Sequence, residues 1–68
     1  MTYLELKKFV GNAKLPCTAE TEDGEMMIIE HLQNENGKHF KLTIAQNNGW
    51  TRIEYHYEDG IIEVLYEK

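Results

Sequence analysis

Between Lys38 and Lys68, three runs of alternating apolar and polar residues follow one another across Asn48-Gly49 and Asp59-Gly60. Such a pattern leaves a chain little to become except antiparallel sheet. Strand side chains alternate faces and paired residues share one, so parity decides which residues can meet in a core. Phe40, Leu42 and Ile44 fall together in the first run, Ile53, Tyr55 and Tyr57 in the second, and Ile62, Val64 and Tyr66 in the third. Read as two-residue type I′ turns, the glycine dipeptides pair Ile44 with Ile53, Leu42 with Tyr55 and Phe40 with Tyr57. The same reading pairs Tyr57 with Ile62, Tyr55 with Val64 and Ile53 with Tyr66. All three apolar sets then share one face, whereas a slip of one residue would send a whole set across.

The N-terminal half supplies a helix and two more strands. Thr2-Tyr3-Leu4-Glu5 has the form of a capping box, and Leu6, Phe9, Val10 and Ala13 follow at helical spacing with Tyr3 on the same stripe. Gly11-Asn12 is a C-cap signal and Pro16 forbids continuation. A helix this short is unstable alone in water and must lie on the sheet. Leu15 to Thr21 alternates as a strand that Pro16 confines to an edge. A three-residue Glu22-Asp23-Gly24 loop with a bulge pairs Ala19 with Met27 and Cys17 with Ile29, apolar with apolar. Glu25 to Gln33 is apolar on both sides, with Met27, Ile29 and His31 on one and Met26, Ile28, Glu30 and Leu32 on the other. Asn34 to Gly37 closes the next hairpin, either as a four-residue loop, which would set Glu30 opposite Lys41, or as a two-residue Asn36-Gly37 turn, and Ile29 and Phe40 share a face in both cases.

The sequence therefore predicts one α+β domain over 1–68: a short N-terminal helix packed on one face of an antiparallel meander sheet of about five strands. Leu6, Phe9 and Val10 are expected to pack on Ile29, Leu42, Ile44, Ile53, Tyr55 and Val64. A 68-residue chain has room for one thin core, and Cys17, as its single cysteine, can form no internal bridge. A lone thiol fits a reducing compartment, no apolar run approaches the length of a membrane span, and no signal-peptide pattern opens the chain, so a cytoplasmic location is expected.

A net charge of −5 argues against nucleic acid as a ligand, because phosphate backbones are held by clustered Lys and Arg. Single-strand binding through exposed aromatics such as Trp50 suffers from the same charge. The three histidines lie in different strands, in no spacing that presents two metal ligands together, and no cofactor is expected. His31 is expected half-buried and hydrogen-bonded on the core face, and Cys17 inward as a small hydrophobe. With the turns above, His39 and His56 point outward to solvent, Lys41 faces His56, His56 faces Glu63, and Arg52 faces Glu67. A solvated charged face explains that row, while a small-ligand or acid–base site using Lys41, His56 and Glu63 is the alternative.

The outer face also carries Met26, Ile28, Leu32, Trp50, Ile61 and Leu65, more apolar surface than a solvated face needs. These six are the interface candidates, with Trp50 the expected anchor. No catalytic motif accompanies them, so the expectation is not an enzyme. It is a small acidic protein-interaction domain: a self-associating subunit, adaptor or inhibitor of the sort that bacteria and their phages encode, partnered by a protein or by a second copy.

Overall fold

The computed structural model describes residues 2–68. Helix α1 (Tyr3–Val10) is followed by strands β1 (Cys17–Glu20), β2 (Met26–Asn34), β3 (Gly37–Ala45), β4 (Thr51–Tyr57) and β5 (Ile62–Glu67). The strands lie in the sheet in chain order, each antiparallel to the next, and the helix covers part of one face. The fold is the α+β arrangement that the alternation predicts.

The capping box forms: the Thr2 hydroxyl accepts from the Glu5 N–H at 3.2 Å, and the Glu5 carboxylate accepts from the Thr2 N–H at 3.0 Å. Gly11, at φ 55°, ends the helix by donating to the Lys7 carbonyl at 3.1 Å. Tyr3 and Leu6 are buried against Met27, Ile29, Phe40, Leu42 and Ile44, with Val10, Leu15, Cys17 and Ala19 packed around them. Phe9 departs from expectation. It is 53% exposed and lines a groove beside the helix rather than the core, and Ala13 lies beyond the helix end.

The first hairpin takes the expected register, and the second takes that of the four-residue alternative, closed by Glu35-Asn36 with Asn34 facing Gly37. Cys17 faces Ile29 and Ala19 faces Met27 across a Glu22-Asp23-Gly24 loop with Gly24 at φ 78°. Gln33 faces Lys38, which sets Glu30 opposite Lys41.

The last two hairpins are each shifted by one residue. Gln46 donates to the Trp50 carbonyl at 3.0 Å and Gly49 to the Gln46 carbonyl at 3.2 Å, so the loop is Asn47-Asn48-Gly49, three residues rather than two. Tyr57 donates to the Ile61 carbonyl at 2.9 Å and Gly60 to the Tyr57 carbonyl at 3.0 Å, making the final loop Glu58-Asp59-Gly60. A type I′ turn needs positive φ at both central residues, and among the described residues only glycines have it. Asn48 and Asp59 act instead as side-chain acceptors: Asn48 Oδ1 takes the Trp50 N–H and Asp59 Oδ1 the Ile61 N–H, both at 3.0 Å.

The first shift carries Ile53, Tyr55 and Tyr57 to the face away from the helix, opposite Thr43, Lys41 and His39. Arg52, Glu54 and His56 take the helix side, opposite Ile44, Leu42 and Phe40. The second shift returns Ile62, Val64 and Tyr66 to the helix side, beside His56, Glu54 and Arg52. The helix does not reach them, and they remain 49%, 44% and 58% exposed. The expected packing of the helix on Ile53, Tyr55 and Val64 therefore does not occur. The molecule exposes 4904 Å², against about 4450 Å² for a folded monomer of 8.0 kDa.

Candidate binding surface

The shift of β4 reorganises the outer face. Registers across β2, β3, β4 and β5 align Ile28, Thr43, Ile53 and Leu65 in one row, with Leu32, His39, Tyr57 and Ile61 in another. Between them runs Glu30, Lys41, Tyr55 and Glu63, and Met26 faces Ala45 at the near end. Met26, Ile28, Leu32, Ile61 and Leu65 are all exposed, and the register brings them onto one surface. Ile53 and Tyr57, unexpected here, are buried among their strand neighbours and give that surface an apolar floor.

Trp50 does not join it. It pairs with Gln46, whose parity is that of the helix side, and shares a hollow with Gln46, Asn48 and Tyr66. The Lys68 ammonium sits 5.5 Å from the Trp50 ring centre, a cation–π contact that holds the C-terminal end of β5 against the loop.

The row of Lys41, His56 and Glu63 is broken up by the same shift. Tyr55 stands between Lys41 and Glu63, while His56 lies on the opposite face between Phe40 and Ile62, 2% exposed rather than solvated. Arg52 faces Tyr66 rather than Glu67. His39 stays on the outer face but is also buried, its ring 4.9 Å from that of Tyr57 and 5.8 Å from that of Tyr55, with Nδ1 3.2 Å from the Gly37 carbonyl. His31 is more exposed than expected, although its Nε2 meets the Tyr3 hydroxyl at 2.8 Å. Burial first, and the negative charge of Glu58 second, raise the Tyr3 phenol above its ordinary range.

What the helix side gains is a polar chain. Glu54 holds the Arg52 Nε at 2.8 Å through one carboxylate oxygen and the His56 Nε2 at 2.7 Å through the other. The carboxylate hydrogen-bonds the buried imidazole and lies close to the guanidinium as an ion pair, but Arg52 Nε itself makes no hydrogen bond. His56 Nδ1 is buried without a partner. The adjoining groove, about 430 Å³, runs between Leu6 and Phe9 of the helix and Arg52 and Glu54 of β4. It contains neither a thiol nor a serine, and its lining threonine is Thr21. Among the described residues, no group of three His, Cys, Asp or Glu side chains is placed to hold a metal ion, and no helix is long and apolar enough to cross a membrane.

The alternation of β2 made its two-sided apolar character legible in sequence. The contribution of β4 was missed because it depends on loop length, and the signal that could have found it was the repeat of the Glu22-Asp23-Gly24 pattern at Asn47-Asn48-Gly49 and Glu58-Asp59-Gly60. Comparison of the chain with known protein families, with curated proteins and with solved structures finds no match.

Proposed function

We propose that the protein is a small acidic protein-binding domain of the cytoplasm, and that its binding surface is the sheet face turned away from the helix. The observation that carries this reading is the row in which Ile28, Ile53 and Leu65 align across that face with Thr43 as its one polar member, flanked by exposed Met26 and Leu32. An antiparallel sheet with one solvated face normally alternates cleanly, so an apolar row on the open side calls for a covering partner. Met26 at the margin suits an adaptable contact. The net charge of −5 favours a partner with a basic surface through long-range attraction.

Ile28→Lys tests this. The side chain is exposed and pairs with Thr18 and Thr43, so the variant should fold with an unchanged circular dichroism spectrum. It should no longer retain, from a host lysate, the proteins that the unmodified immobilised chain retains. Retention of the same proteins by the variant would place the binding surface elsewhere.

A further inference from the structure

The two edges of the sheet are built differently. β1 is four residues long, follows Pro16, and presents Thr18 and Glu20 on the outer face. A short strand and a proline are among the means by which edges are kept from pairing with other chains, and although β5 shares with β1 the charge on its outer face, it has neither of these. β5 has six residues in continuous register and no proline, and its helix-side residues Ile62, Val64 and Tyr66 are all apolar. Leu65 and Ile61 on its outer side are exposed as well.

The hydrogen-bond phase of that edge is fixed. The bond from the Tyr57 N–H to the Ile61 carbonyl makes these two a hydrogen-bonded pair, and such pairs alternate along an antiparallel ladder. Glu63 and Leu65 therefore turn both backbone groups to β4, and Ile61 its carbonyl. Ile62, Val64 and Tyr66 turn theirs to the open edge, where no described strand pairs with them.

We infer that this edge takes a second copy of the chain, β5 against β5, antiparallel, with Val64 facing the partner's Val64. The inference rests on the reading of the protein as a binding domain and names one of its partners. Facing residues must lie on the same side of a continuous sheet, so a two-fold register centres on a single residue. Centred on Glu63, the register sets that carboxylate against its own copy. Centred on Leu65, it sets Glu63 against the partner's Glu67. Like charges directly opposite are destabilising. Centred on Val64, it sets Glu63 against the partner's Leu65 and Glu67 against the partner's Ile61, so no carboxylate faces another. The same register joins all three outward-turned residues: Val64 with the partner's Val64, and Ile62 with the partner's Tyr66 in both directions. At this one register the strand is self-complementary in hydrogen-bond phase and sets no carboxylate directly opposite another. The product is one continuous sheet with both outer faces on the same side, which presents the proposed binding surface twice.

Cysteine cross-linking tests the register in a Cys17→Ala background. Facing Cα atoms of a hydrogen-bonded pair lie about 5.5 Å apart, within disulfide reach. Ile62 and the partner's Ile62 would stand four positions apart, about 14 Å. Val64→Cys should therefore form a disulfide-linked dimer on mild oxidation, Ile62→Cys and Tyr66→Cys alone should not, and an equal mixture of those two should. Sedimentation equilibrium of the unmodified chain should show a concentration-dependent dimer, and Val64→Lys, at an exposed position, should give a folded monomer. A chain that stays monomeric at every concentration, or a dimer that survives Val64→Lys, overturns the inference. So does preferential cross-linking at Glu63→Cys or Leu65→Cys. None of these variants touches Ile28, so a monomer that still retains lysate proteins through Ile28 overturns the dimer and leaves the binding-domain reading standing.

Discussion

Leu6 is the fully buried residue through which α1 is attached to the sheet, and Leu6→Ala measures what that attachment is worth. The substitution removes three carbons, about 2.4 kcal/mol at about 0.8 kcal/mol per buried methylene. The cavity left against Phe40, Ile29 and Leu42 raises the expected cost to about 3–5 kcal/mol, because β3 is held in place on both sides and cannot collapse inward. A chain of 68 residues has a total stability of roughly 3–10 kcal/mol at 0.05–0.15 kcal/mol per residue. The loss is therefore a third of the stability or more, and an eight-residue helix cannot hold itself together once its anchor is gone. In urea, with a slope of about 1 kcal/mol per molar for a protein this small, the midpoint should fall by several molar or the chain should be unfolded at the outset. Leu4→Ala, two positions along on the solvent side of the same helix, is the control and should change stability by no more than about 0.5 kcal/mol. Equal midpoints for the two variants would refute the placement of Leu6 in the core.

Tyr3→Phe removes the hydroxyl that meets His31 at 2.8 Å and should cost about 0.5–1.5 kcal/mol in a denaturation series at neutral pH. The phenol titrates above its ordinary value when folded, so its contribution is complete below about pH 10 and is lost as pH rises through the folded value. Alkaline melting curves should therefore fall more steeply for the unmodified chain than for Tyr3→Phe, and parallel curves would contradict the burial of the ring. Glu54→Ala strands both Arg52 and His56 and should cost about 1–3 kcal/mol, whereas Arg52→Ala, removing the more exposed partner, should cost less. Equal melting temperatures for these two variants would show that Glu54 does not bridge them.

The helix, the five strands and the register of the first hairpin were legible because each rests on local chemistry, whereas the loop at 34–37 left two registers open for the second. Thr2 and Glu5 cap reciprocally, and only a bulged loop after Glu22 sets Ala19 on Met27. The last two registers were not legible from parity, since a two-residue loop at Asn48-Gly49 produced a more uniform apolar face than the one that forms. Hydrophobic agreement across strands favoured the wrong answer, and the three-residue loops that form keep Asn48 and Asp59 out of the left-handed region, leaving it to Gly49 and Gly60. The outer-face candidates Met26, Ile28, Leu32, Ile61 and Leu65 kept their side because the first three belong to β2, whose face does not depend on the later loops, and the last two were carried across and back by compensating shifts. His56 and Trp50 had no such protection. His56 moved with β4 from water into a carboxylate-bonded site beneath the sheet surface.

A sheet whose spatial order repeats its chain order also fixes how the molecule comes together in time. Every strand meets only its sequence neighbour, so each pairing closes a loop of two or three residues, and the entropy of closure is small at every step. Hairpins of this kind form within microseconds, and the meander can grow from any of its four turns. The helix is different. Tyr3 must find His31 and Phe40 from far along the chain, and those partners share a face only once β2 and β3 have paired. Docking of α1 therefore follows the central hairpin, so substitutions at Leu6 act chiefly on the rate at which the domain opens and those in the β2–β3 turn on the rate at which it closes.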